Sequence, residues 1–136
     1  MSYLLDTHVI SEVARRKPHQ AVLDWLDQVP PSGLHMSVLS IGEVRKGVER
    51  LKPGTRKERL RVWLEQALVG WLEDRILPVD HAVADEWGRL NAAARRTLPA
   101  TDSLIAATAL THNLRVVTRN TKDFEFPGLE VVNPWG

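Results

Sequence analysis

The sequence predicts an α/β fold: a parallel or mostly parallel sheet covered by helices on both faces. Two patterns carry this expectation. Short apolar runs alternate with longer stretches of helical periodicity, the order that builds β-α-β units. The runs themselves, such as Tyr3-Leu4-Leu5 and Val116-Val117, show little polar alternation, as expected of strands buried on both sides. At 136 residues the chain has the size of one ordinary domain, too short for two independent cores. Residues 1–136 are therefore read as one domain.

The elements follow in order. Tyr3 to Leu5 ends at Asp6, and Thr7 opens a segment, Val9 to Ala14, that fits a short helix. Pro18 fits the first turn of a second helix, in which Val22, Leu23, Trp25, Leu26 and Val29 are apolar while Asp24, Asp27 and Gln28 are not. Pro30 to Gly33 is a break, and Leu34 to Met36 suits a second strand. A helix follows with Ile41, Val44, Val48 and Leu51 on one stripe, broken by Lys52-Pro53-Gly54-Thr55. Another runs from about Arg56 to Leu72. Ile76, Leu77 and Val79 suggest a strand interrupted by Pro78. Asp80 then caps a helix carrying Val83, Trp87, Leu90 and Ala94, and Leu98 to Thr101 ends it. Asp102 to Asn113 is almost wholly apolar or small, which predicts a buried helix. Arg115 to Thr118 and Leu129 to Val132 are the last strands.

Composition removes several classes of function. The hydrophobic share of 43% and charged share of 26% are those of a globular chain rather than a disordered one. With no cysteine, disulfides, thiolate metal sites and cysteine nucleophiles are excluded. No apolar run is long enough for a membrane helix, and the first residues lack the pattern of a secretory leader, so a cytoplasmic protein is expected. No two of the eight glycines are separated by a single residue, which rules out a dinucleotide fingerprint, and there is no phosphate loop or nucleophile elbow. The five histidines form no ligand pattern. The net charge of +1 hides a local asymmetry. Eight basic residues from Arg45 to Arg61 face only Glu49 and Glu58, giving +6, while the remainder of the chain is −5. Such a run is usually a solvated face. It gains interest if an acidic site elsewhere takes a polyanionic substrate.

What remains is a set of carboxylates at particular places. Asp6 stands where the first strand ends, the edge at which open parallel sheets bind ligands; helix capping is its ordinary alternative. Glu43, in Ser40-Ile41-Gly42-Glu43, fits a capping box or a pair with Lys46, yet it lies at the margin of the core beside Val44. Asp102 is the only formally charged residue between Arg96 and Arg115. At the head of a buried helix it must be capped, paired or bound to metal; a Thr101 cap would leave Asp102 free for another role, and viewed alone Asp102 suits pure capping as well as any other role. Asp123 follows the strand ending at Thr118, where it and Asn120 also suit a turn. A parallel sheet brings such strand ends and helix starts to one edge. Carboxylates converging there repel one another and raise their pKa values, and a hard divalent cation, Mg²⁺ or Mn²⁺, relieves the repulsion. Such a site suits phosphodiester hydrolysis.

Tyr3-Leu4-Leu5-Asp6-Thr7-His8-Val9-Ile10-Ser11-Glu12 resembles the opening motif of PIN-domain ribonucleases. Ser40-Ile41-Gly42-Glu43, the segment Ala100 to Ala109 and the segment Val117 to Phe124 resemble the second, third and fourth motifs. The subgroup resembled is the VapC toxins, more narrowly the FitB-like ones, which Arg75 to Asp80 and the ending Asn133-Pro134-Trp135 also match. The resemblance implies a three-layer α/β/α sandwich of PIN type, Mg²⁺- or Mn²⁺-dependent RNA cleavage, and a homodimer. It also implies an antitoxin that covers the active site and binds operator DNA. Asp6, Glu43 and Asp102 map onto the acidic positions of the family. His8 stands where the family often has Asn, and Asn120 where many relatives have the fourth acid, with Asp123 three residues later. The resulting expectation is an endoribonuclease toxin in which Asp6 and Asp102 hold metal and Glu43 holds metal or orients water. Asp123 or Asn120 gives support, together with Thr118, and the basic segment meets RNA or antitoxin. The alternative is a non-catalytic subunit that tightens the grip of its antitoxin on operator DNA.

Overall fold

The computed structural model describes all 136 residues. Five strands, β1 (Tyr3–Leu5), β2 (Leu34–Ser37), β3 (Ile76–Leu77), β4 (Arg115–Val117) and β5 (Val131–Val132), form one sheet in the order β3-β2-β1-β4-β5. Every pairing is parallel, so the sheet is wholly rather than mostly so. β1 is central, with Leu4 opposite His35 on one side and Val116 on the other.

The layers follow from strand alternation. Leu4 and Leu5 are both fully buried but enter different cores. Leu4 packs with Ile105, Ala106, Ala109, Leu114, Val116 and Phe124. Leu5 packs on the opposite face with Val9, Ile10, Val22, Met36, Val44 and Val117, among others. Successive residues of a strand point to opposite faces, so a two-leucine run in the central strand serves both layers. The helices are α1 (Thr7–Val13), α2 (Gln20–Gln28), α3 (Val38–Glu49), α4 (Thr55–Val62), α5 (Val69–Leu72), α6 (His81–Ala93) and α7 (Ala100–Thr111). A π-helical stretch, Trp63–Leu68, joins α4 to α5, so the long helix expected over 56–72 is present with one widened segment. No helix is long and apolar enough to cross a membrane.

Several boundaries differ from the sequence reading, each for a local reason. Pro18 lies outside α2, whose start is capped by His19 Nδ1 accepting the Ala21 N–H. α3 begins earlier than the Ser40 capping box requires: Ser37 Oγ accepts the Leu39 N–H, and Ser40 lies buried inside the helix. Leu51 falls just beyond the end of α3. α7 begins at Ala100 after Pro99, so Thr101 and Asp102 are both within its first turn and Thr101 is not the cap. Pro99 is well placed there because proline is tolerated at helix starts. Asp80 caps α6 as expected, its Oδ1 accepting the Val83 N–H at 3.0 Å.

Candidate active site

The strand order reverses between β1 and its two neighbours: the chain goes from β1 to β2 on one side and later returns to β4 on the other. The crevice at the C-terminal ends of such strands is where open α/β sheets place ligands. Asp6 and Thr118 leave β1 and β4 at this point. The Asp6 N–H donates to the Val117 carbonyl at 2.9 Å. Its Oδ1 accepts the Thr7 N–H at 2.8 Å, capping α1, and its Oδ2 accepts the Thr118 hydroxyl at 2.8 Å. Asp6 is therefore both a cap and a member of the crevice. The Thr118 hydroxyl oxygen in turn accepts the Asn120 N–H at 3.0 Å. From α3, Glu43 Oε1 accepts the Thr7 hydroxyl at 2.8 Å. Two threonines thus fasten two acids: Thr118 holds Asp6, and Thr7 holds Glu43.

Asp102 is in the first turn of α7 and half-buried, and its carboxylate has neither a hydrogen-bond nor an ion-pair partner. Burial raises its pKa; the charges of Asp6, Asp123 and Glu43 raise it further, with His8 opposing. Burial also raises Asp6, outweighing the Thr118 hydrogen bond, His8 and the Thr7 N–H. None of the seven ion pairs of the protein includes Asp6, Glu43, Asp102 or Asp123. Four acids from four parts of the chain thus share one electrostatic neighbourhood in which His8 acts at a distance and no ion pair neutralises them. No three acids or histidines stand close enough to enclose a single ion. Asp123 and Asn120 are exposed in the turn after β4, and the charge of Asp123 reaches Asp102.

The sequence pattern of the PIN domain matches residues 3–127. The chain belongs to the PIN-domain family. Toxin FitB of Neisseria gonorrhoeae is 38% identical over 97% of both chains, and VapC ribonuclease Y4jK of Sinorhizobium fredii is 36% identical over 97% of this chain and 96% of its own. The solved structure of FitAB bound to IR36 DNA fragment superposes with a TM-score of 0.91 at 36% identity, covering 98% of this chain and 96% of that one.

The donor set of this PIN domain suits a hard divalent cation. It offers carboxylate oxygens without sulfur, and burial and mutual repulsion already disfavour their ionised forms. Mg²⁺ keeps several waters and usually takes only one or two carboxylates, so spaced acids suit it better than a closed cage would. The sequence reading did not single out the Thr7 hydroxyl. Its partner lies 36 residues away, and no local pattern announces such a bond.

Thr118→Val is expected to cost about 1–3 kcal/mol near neutral pH, because it leaves the buried Asp6 carboxylate short of a donor. The cost should shrink as pH falls through the raised pKa of Asp6 and the carboxyl becomes neutral. Urea denaturation at two pH values reads this. An equal cost in acid and at neutrality would mean the hydroxyl acts only through packing.

Proposed function

We propose that this PIN domain, acting as one domain over residues 1–136, is the toxin of a toxin–antitoxin pair and a Mg²⁺- or Mn²⁺-dependent endoribonuclease. The observation that carries this is that Asp6, Glu43, Asp102 and Asp123 share one electrostatic neighbourhood at the switch point with no ion pair among them. Acids serving only as caps or surface charges would have no reason to gather there. The names of the similar proteins, a toxin and a VapC ribonuclease, support the same reading. Asp6 and Asp102 would hold the cation, which supplies the Lewis acidity that polarises a phosphodiester and balances charge on the leaving oxygen. Thr118 fixes the rotamer of Asp6. Glu43 spends one oxygen on Thr7, which leaves Oε2 to accept a proton from attacking water or to join the cation. Asn120 faces the site through water, and Asp123 adds negative charge from the turn. A cytoplasmic homodimer bound by an antitoxin that contacts operator DNA completes the proposal; that the similar FitAB was solved bound to a DNA fragment supports its DNA-binding part. In bacteria, induction of the chain alone should arrest growth, and co-expression of its antitoxin should relieve the arrest. Unimpaired growth at high expression would contradict the toxin reading.

Saturating Mg²⁺ or Mn²⁺ should stabilise the fold by about 2.7 kcal/mol at 100 times the dissociation constant. The stabilisation should depend on pH. In chelator, burial first and neighbouring charges second hold Asp102 above its ordinary pKa, and burial does the same for Asp6. The folded state then binds protons more tightly than the unfolded chain. That contribution to stability is full below the ordinary aspartate range and is lost as pH rises through the raised values. A cation competes with those protons, so the melting-temperature gain should grow across the same window and be complete at neutrality. A gain independent of pH would contradict it.

The basic segment places six cations, Lys46, Arg50, Lys52, Arg56, Lys57 and Arg59, outside any ion pair, while Arg45 and Arg61 are paired with glutamates. Arg56 lines a cleft together with Glu43 and Arg15. Charge reversal at Arg56, Lys57 and Arg59 should weaken RNA or antitoxin binding by roughly tenfold or more and flatten its salt dependence, with metal affinity unchanged. Unaltered binding of both partners would leave these residues as a solvated face.

A further inference from the structure

The turn that follows β4 carries an arginine whose surroundings the site described above leaves unexplained. Arg119 lies between Thr118, whose hydroxyl holds Asp6, and Asn120, whose N–H closes onto that hydroxyl. Its side chain is exposed and belongs to none of the ion pairs, although the residue before it, Thr118, holds the Asp6 carboxylate. Instead its guanidinium carbon stands 5.6 Å from the centre of the Trp135 ring.

Trp135 is itself fixed. Its indole N–H donates to Glu12 Oε1 at 3.3 Å, and its backbone N–H donates to Asn133 Oδ1 at 2.9 Å. Glu12 is only 5% exposed. Its second oxygen accepts the His19 N–H at 3.2 Å, and Arg15 stands 3.5 Å from the first. Burial alone would push the Glu12 carboxyl up, but the His19 N–H, Trp135 and Arg15 outweigh it and hold it below the ordinary value. A buried anion satisfied on both oxygens thus locks the C-terminal tryptophan, and the tryptophan seats the arginine.

A guanidinium lying against an aromatic ring keeps its in-plane N–H donors available and loses less freedom on binding than a loose side chain would. Those donors match phosphate oxygens in a bidentate fork. Four acids at the crevice also repel a polyanion, which makes an adjacent, pre-positioned cation useful where the strand enters. We infer that Arg119, seated on Trp135, binds a backbone phosphate of the RNA strand beside the acidic crevice, and that Glu12 and Trp135 are positioning residues for it. The inference rests on the ribonuclease reading and adds to it a substrate contact outside the acids.

The test uses the full chain and a fluorescein-labelled single-stranded RNA of mixed sequence. Binding is read by anisotropy in chelator, and cleavage kinetics are read in Mn²⁺. Arg119→Ala should raise KM roughly tenfold with kcat within about twofold, the pattern of a uniform binding contact, and should lower the salt slope of binding by about one. Arg119→Lys should restore the slope but only part of KM. Trp135→Leu should raise KM with Arg119 present and add nothing further in the Arg119→Ala background, while Trp135→Phe, which keeps a ring face, should do less harm. Three results would overturn the inference: unchanged KM and salt slope in Arg119→Ala, full additivity of the two substitutions, or loss of antitoxin binding with RNA binding intact. A wild-type chain that cleaves no RNA in any metal would defeat the ribonuclease reading instead, and the anisotropy arm would still decide whether Arg119 contacts RNA.

Discussion

Asp102→Asn is expected to lower RNA cleavage by at least about 10²-fold, the usual scale for removing one electrostatic contact to a reacting phosphoryl or acyl group, while the fold survives. The replacement keeps the size of the side chain and loses only the charge. The same change should leave the melting temperature in chelator unchanged or higher, because burial and the charges of Asp6, Asp123 and Glu43 all disfavour the ionised carboxylate in the metal-free fold. The gain in melting temperature on adding Mn²⁺ should shrink at the same time. Activity and stability moving in opposite directions is the signature of a residue kept for chemistry. Cleavage at the wild-type rate would make Asp102 a structural feature of the α7 terminus.

Phe124→Ala should destabilise the protein by about 3–5 kcal/mol, the cost of emptying a large aromatic site in a packed core. Phe124 is 1% exposed and packs with Leu4, Ile105, Ala106, Ala109, Leu114 and Val116. It also ends the short 3₁₀ turn, Thr121–Phe124, that carries Asp123. Loss of this anchor should therefore loosen the turn and reduce activity moderately even where the protein remains folded. Urea midpoints at constant slope measure the first effect. A loss below about 1 kcal/mol would mean the turn repacks without its aromatic anchor.

The sheet was legible because its signal is local. Leu4-Leu5 and Val116-Val117 are apolar at both parities, and that pattern has a structural counterpart in two cores, one on each face of the sheet. The positions of Asp6 and Asp102 at a strand end and a helix start were legible for the same reason. What holds the site together was not. Thr118 reaches Asp6 across 112 residues, and Trp135 reaches Glu12 across 123; such bonds depend on which strands are neighbours, and periodicity does not encode that. Glu12 shows the difficulty well. It sits on α1 among Val9, Ile10 and Val13, where a glutamate reads as the polar edge of a helix, yet it is buried and bonded on both oxygens. The Ser40 capping box does not form because α3 starts three residues earlier, where Ser37 at the end of β2 caps it and leaves Ser40 buried inside the helix. At the fourth acidic position, charge pointed to Asp123 and proximity to Asn120. The charge of Asp123 does reach Asp102, while the backbone N–H of Asn120 closes the turn on Thr118.

The proposed divalent-metal-dependent endoribonuclease activity rests on the acids gathered at the β1–β4 crevice. The most direct measurement incubates the purified, antitoxin-free chain with labelled single-stranded RNA in Mn²⁺, in Mg²⁺ and in excess chelator, with Asp102→Asn run beside it. Internal cleavage by the wild type is expected in metal, none in chelator, recovery when metal is restored, and essentially none by the mutant. Cleavage that persists in chelator, equal cleavage by the mutant, or intact RNA under every metal condition would contradict it.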